Sequence, residues 1–124
     1  MKSNKINKNI NKIFDLEERT TIFSKNVIQL CRLISLNYVT QPLINQLIRC
    51  ATSIGANYFE ANGASSKKDF KNKIYFCKKE AKETQYWLSL IAHTEIDHKK
   101  NCLVLWKEAH ELTLIFSRIA LNTH

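Results

Sequence analysis

Glycine occurs twice in this chain of 124 residues, at positions 55 and 63, and proline once, at position 42. Sandwiches and barrels need a turn signal every dozen residues or so, and punctuation this sparse disfavours them. Long helices with short connections remain. The length suits a single domain burying one modest core.

Apolar spacing divides the chain into four such helices. From about Asp15 to Leu36, Leu16, Phe23, Val27, Leu30 and Ile34 recur at helical intervals, and Glu17, Glu18, Arg19, Lys25 and Arg32 supply a solvated face. Asn37 to Pro42 breaks the pattern, with Thr40 as N-cap and proline in the first turn, where it is tolerated. The second helix carries Leu43, Ile44, Leu47, Ile48, Ala51, Ile54, Tyr58 and Phe59 on one side. It is expected to close at Gly63 in the left-handed conformation. Ser66 and Asp69 stand at capping-box spacing and open a third helix to about His93, roughly 40 Å long at 1.5 Å per residue. Thr94 to Lys99 forms the last connection. The fourth helix, from about Lys100 to Ala120, has Cys102, Trp106, Ala109, Thr113, Phe116 and Ala120 on one seam, with Leu105, Leu112 and Ile119 beside it. The expectation is all-α: an antiparallel up-down-up-down four-helix bundle over residues 14–121.

Ahead of it, residues 1–13 form a basic, Asn-rich leader with Lys2, Lys5, Lys8 and Lys12, whose Ile6, Ile10 and Ile13 are spaced to extend the first helix. The leader lacks the apolar run of a signal peptide, and no stretch is long and apolar enough to span a membrane, which places the chain in the cytoplasm. Cys31, Cys50, Cys77 and Cys102 have no zinc-ligand spacing and read as core thiols.

The third helix has more than one commitment. Phe70, Ile74, Cys77, Ala81, Leu88 and Ile91 form its inward stripe, while Phe76, Trp87 and Leu90 lie on a different side and suggest a second buried face, made by self-association. A third sector carries Lys67, Lys68, Lys71, Lys78, Lys79 and Lys82, interleaved with Tyr75 and Tyr86. Ammonium groups in line suit phosphates, and tyrosine rings suit unpaired bases. A charged helix run is equally often a plain solvated face. The formal charge of +8, from 19 Lys and Arg against 11 Asp and Glu, favours a polyanionic partner such as RNA or DNA. On the second helix, Gln46, Arg49, Ser53, Asn57 and Glu60 make a polar stripe, which at an interface would require hydrogen-bond partners.

Catalytic patterns are weak. Glu95 and His98 have the Glu-x-x-His spacing of di-iron bundles, but there is no second copy and the motif falls in the last connection. The four histidines have no nucleophile or orienting acid at recognisable spacing, and no glycine-rich phosphate loop occurs. A non-enzyme without metal or cofactor is expected.

Arg49, Ser53, Ile54, Asn57 and Glu60, followed by Ser66, Asp69 and Phe70 and by the segment from Lys79 to Leu88, carry a specific resemblance. The chain resembles, over roughly residues 14 to 120, the 23S ribosomal RNA intervening-sequence protein family, whose members are often called four-helix bundle proteins. Many relatives have Pro in place of Gly55 and Gly in place of Ala61. The resemblance implies a ring-like homopentamer, similar to the accessory variability protein of diversity-generating retroelements, which binds reverse transcriptase and nucleic acid through basic surfaces. Arg49, Asn57, Glu60 and Glu83 match family motif residues, and the resemblance gives them a structural or interface role, as the face pattern does Ser53, Phe76 and Trp87. Two expectations follow. The first is a homo-oligomeric protein, with a pentamer favoured, that binds nucleic acid or a nucleoprotein such as a reverse transcriptase. The second is a protein-protein scaffold with no nucleic-acid role.

Overall fold

A computed structural model describes residues 15–124, so the leader lies outside the described residues. Helix α1 spans Leu16–Leu33, α2 Thr40–Asn62, α3 Lys67–Thr94 and α4 Lys99–Asn122, with a single 3-10 turn, Ile96–His98, before α4. The described residues contain no strand. Each helix packs against the next in the chain. The α2–α3 and α3–α4 contacts are extensive and the α1–α4 edge is sparse, so α3 is the central member of the bundle.

The expected core is largely the observed one. Leu16, Phe23, Val27 and Leu30 from α1 with Ile34 just past its end, Ile44, Leu47, Ala51 and Ile54 from α2, and Ile74, Cys77, Ala81, Leu88 and Ile91 from α3 are buried in one cluster. On α4 the buried stripe is Cys102, Leu105, Ala109, Leu112, Phe116 and Ala120, centred slightly away from the expected seam, which leaves Trp106 and Thr113 half-buried. Phe59 departs from expectation. One position beyond Tyr58, whose ring meets Phe116 at 5.8 Å, it is turned about 100° off the buried stripe and is 69% exposed.

Thr20, Thr40 and Thr84 are buried although their side chains are polar, and the first and last lie within α1 and α3. Thr20 Oγ1 donates to the Leu16 carbonyl at 2.7 Å and Thr84 Oγ1 to the Glu80 carbonyl at 2.7 Å, so neither hydroxyl is buried unpaired. All four cysteines are buried free thiols, as expected. Burial pushes Cys31, Cys50 and Cys102 up to about 11 and Cys77 to about 12, far from the thiolate that nucleophilic or metal chemistry requires.

The helix ends combine expected and unexpected caps. Ser66 Oγ accepts from the Asp69 amide at 3.0 Å, and Asp69 reaches back to the Ser65 amide at 3.4 Å, a capping box displaced by one residue on its return bond. At the start of α2, Asn37 takes the place expected of Thr40. Its Oδ1 accepts from the amides of Val39 and Thr40, both at 2.9 Å, while Thr40 is already helical and donates its hydroxyl to the Ser35 carbonyl at 2.8 Å. This turn draws on Ser35 to Thr40, and α1 accordingly stops at Leu33 rather than Leu36.

The two glycines serve different ends. Gly63 closes α2 at φ −101°, without the left-handed conformation, and a Cβ there would meet only the Glu60 carbonyl at 3.7 Å. Gly55 sits where α2 crosses α1, and a Cβ would come within 3.2 Å of the Thr20 hydroxyl, which is buried and held by its own hydrogen bond. Gly63→Ala is therefore expected to leave stability unchanged or raise it by up to about 1 kcal/mol, because only the unfolded chain loses freedom. Gly55→Val overpacks the crossing and should cost about 1–3 kcal/mol, read from urea unfolding of both variants.

Candidate nucleic-acid interface

Helix α3 sorts its charges by side. At about 100° per residue, Lys67, Lys68, Lys71, Lys78, Lys79 and Lys82 fall within a sector of roughly 120°, and Glu80 and Glu83 lie outside it. Lys67, Lys68, Lys79 and Lys82 are exposed and Lys71 and Lys78 half-buried. Among the described residues none of the six forms an ion pair. Tyr75 and Tyr86, 49% and 58% exposed, lie in the same sector. The structure therefore brings together all eight residues that the sequence proposes for this surface.

The opposite flank of α3 faces α2 and consumes the acids. Arg49 bridges the two helices: its guanidinium donates to Glu83 Oε1 at 2.7 Å and to Glu80 Oε2 at 3.3 Å, and its Nε donates to Gln46 Oε1 at 3.2 Å. Glu83 Oε1 also accepts from Trp87 Nε1 at 3.3 Å. Ser53 donates its hydroxyl to the Arg49 carbonyl at 2.7 Å, Asn57 donates to the Ser53 carbonyl at 2.8 Å, and Glu60 pairs with Lys73 at 3.4 Å. The polar stripe of α2 thus finds partners within its own chain. Phe76, by contrast, is 49% exposed, and Trp87 is partly buried against the core and makes a T-shaped contact with Tyr86.

The two carboxylates that meet Arg49 differ in environment. Glu80 is the more buried, and desolvation raises its pKa above the ordinary 4.5 despite the opposing pull of Arg49. The Arg49 guanidinium is held further into its charged form, chiefly by its hydrogen bond to Glu83.

Sequence reasoning missed one long-range pair. Arg19, read as part of a solvated face, donates from Nε and Nη2 to the two oxygens of Glu108, both at 2.8 Å, and fastens α1 to α4 along the edge where they pack least. The hydrogen bond to Glu108 raises the Arg19 pKa. The residues are 89 positions apart, and no local pattern marks them.

The Glu95 to His98 segment occupies the 3-10 turn, beside an open groove of about 320 Å³ lined also by Leu33, Ser35 and Thr94. Among the described residues no three His, Cys, Asp or Glu side chains converge as a metal site. No described helix is long and apolar enough to cross a membrane.

These features define an all-α four-helix bundle whose central helix separates a free cationic side from a side with its charges balanced. The chain belongs to the 23S rRNA-intervening sequence protein family, whose model matches residues 14–118. A solved structure of a protein of unknown function from the S23 ribosomal protein family of Bacteroides thetaiotaomicron is similar to it, with a TM-score of 0.72 and 30% identity, covering 84% of this chain and 96% of that one. No functionally curated protein matches the chain.

The Arg49 cluster makes a test with opposite signs. A raised pKa in the folded state means that Glu80 favours folding when protonated, a contribution present below its ordinary 4.5 and lost as pH rises through the folded value. At pH 7, Glu80→Gln should leave the unfolding midpoint unchanged or higher, with less pH dependence between pH 4.5 and neutrality. Glu83→Gln weakens the shorter bond to Arg49 and should destabilise by up to about 1 kcal/mol. Urea titrations at several pH values distinguish the two.

Proposed function

We propose that this protein is a non-enzymatic nucleic-acid-binding protein that works as a cytoplasmic homo-oligomer, a pentamer being favoured, in a nucleoprotein that includes a partner such as a reverse transcriptase. The observation that carries the reading is the lysine sector of α3: six lysines in no ion pair among the described residues, aligned over about 22 Å from Lys67 to Lys82, with two exposed tyrosines among them. Ammonium groups so placed release condensed counterions from a phosphate backbone, and this supplies most of the affinity of sequence-independent binding. Membership of a family named for inserts in ribosomal RNA genes is compatible with an RNA ligand and does not require one.

Self-association rests on a different flank. Phe76 is an aromatic ring half open to water beside the charge-balanced α2–α3 seam, a combination that suits burial against a second copy. A specific observation also favours the scaffold reading: Leu103, Leu114 and Leu121 are exposed at nearly the same angle around α4, an apolar line available to a protein partner.

Binding of RNA and DNA, followed by salt titration, tests the nucleic-acid reading. Replacing Lys67, Lys71, Lys78 and Lys82 by Gln should flatten the slope of log K against log salt by about 0.7 for each phosphate of a single strand that is no longer neutralised. A slope that does not change, or no binding at low salt, overturns the reading. Scaffold activity would instead survive nuclease and the four substitutions.

Native mass spectrometry tests the assembly. Phe76→Ser is expected to lower the oligomer order while circular dichroism stays helical. A wild-type chain that is strictly monomeric overturns the proposal.

A further inference from the structure

We infer that the basic side of α3 selects unpaired nucleotides, with Tyr75 and Tyr86 as stacking platforms and Trp87 as the residue that positions Tyr86. This deepens the nucleic-acid reading and rests on it. The lysine sector alone would bind any polyanion, because ammonium groups meet phosphates in single strands and duplexes alike. The tyrosines add a distinction. A ring can stack only on a base whose face is open, and in a duplex those faces are covered by neighbouring bases.

Tyr86 is held by a chain of contacts that begins on another helix. Arg49 on α2 bonds Glu83 at 2.7 Å, Glu83 accepts from Trp87 Nε1 at 3.3 Å, and the Trp87 ring meets Tyr86 at 5.1 Å with an interplanar angle of 74°, a T-shaped contact. Trp87 is half-buried and packed on the core, so it gives Tyr86 a fixed neighbour on one side while more than half of Tyr86 stays open. A ring restrained in this way loses less freedom when a base stacks on it. Arg49, Glu83 and Trp87 therefore act on the ligand through Tyr86 and need not touch it.

Tyr75 lies 11 positions earlier, at nearly the same angle around the helix and about 16 Å away along it. At about 3.4 Å per stacked nucleotide, that separation equals roughly five base steps. The lysines from 67 to 82 overlap this interval. One strand of six or more unpaired nucleotides would reach both rings with its phosphates along the lysines, and a shorter strand would reach one ring.

The test compares a labelled single strand of about twelve bases, as RNA and as DNA, with a duplex of equal charge, by fluorescence anisotropy at low salt. Tyr75→Leu and Tyr86→Leu should each weaken single-strand binding by about 5- to 150-fold and leave duplex binding unchanged. Tyr86→Phe should bind like the wild type, because the ring and not the hydroxyl is used. Trp87→Leu should weaken single-strand binding alone, whereas Trp87→Phe, which keeps an aromatic edge, should retain most of it. In a Trp106→Phe background Trp87 is the sole tryptophan, and its emission should change on adding the single strand and not the duplex. Equal losses on both ligands, or no loss on either, overturn the stacking role while leaving the nucleic-acid reading in place. A wild-type protein that binds neither ligand sinks that reading itself.

Discussion

The packing of α3 between two neighbours sets the terms for the rest of the bundle. Ile74, Cys77, Ala81, Thr84, Leu88 and Ile91 are buried along it, and both α2 and α4 lie against it over most of their length. A helix covered on two flanks has only one sector left for water, and charged side chains must share it or find partners across a seam. Lys73, Glu80 and Glu83 find partners on α2, and the other six lysines take the open sector. The sidedness of the candidate ligand surface is thus a consequence of core packing. Moving the buried stripe by one residue would turn the lysines by about 100°.

Much of this was legible because it is periodic or local. The inward stripes of α1 and α3 follow from apolar spacing, and the start of α3 from the Ser66 and Asp69 pair, since a cap is an interaction within one turn. The lysine sector is legible for the same reason: a helix fixes the relative angles of its residues whatever it packs against. Where the reading failed, the deciding fact lay elsewhere. Phe59 looks apolar in sequence, but the stripe of α2 is already filled on that level by Tyr58 against Phe116. Gly63 looks like a left-handed cap, yet the chain leaves α2 through an ordinary backbone conformation. Arg19 looks solvated because its partner, Glu108, belongs to the last helix.

The α2 polar stripe shows how one set of residues fits two roles. Arg49, Ser53, Asn57 and Glu60 each have a partner within the chain, so none needs a second subunit to be satisfied. Arg49 and Glu60 meet Glu80, Glu83 and Lys73 across the α2–α3 seam, whereas Ser53 and Asn57 bond to carbonyls of α2 itself. Arg49 and Glu60, which look like interface contacts in sequence, are here first contacts between neighbouring helices of one bundle.

The carboxylates bear on the α3 lysine sector, none of whose members they meet in an ion pair among the described residues. Glu108, Glu80, Glu83 and Glu60 are in ion pairs, Asp15 caps α1, Asp69 accepts from the Ser65 amide at the start of α3, and Glu17 accepts from Asn62. Among the described residues Arg19, Arg49 and Lys73 meet these carboxylates in ion pairs, and the six lysines of the α3 sector do not. The α3 lysines consequently have little internal neutralisation, and a phosphate backbone or salt must supply it. The same imbalance constrains assembly. Copies that apposed their lysine sectors would meet like charge at short range, whereas the α2–α3 seam brings paired charges and the open ring of Phe76.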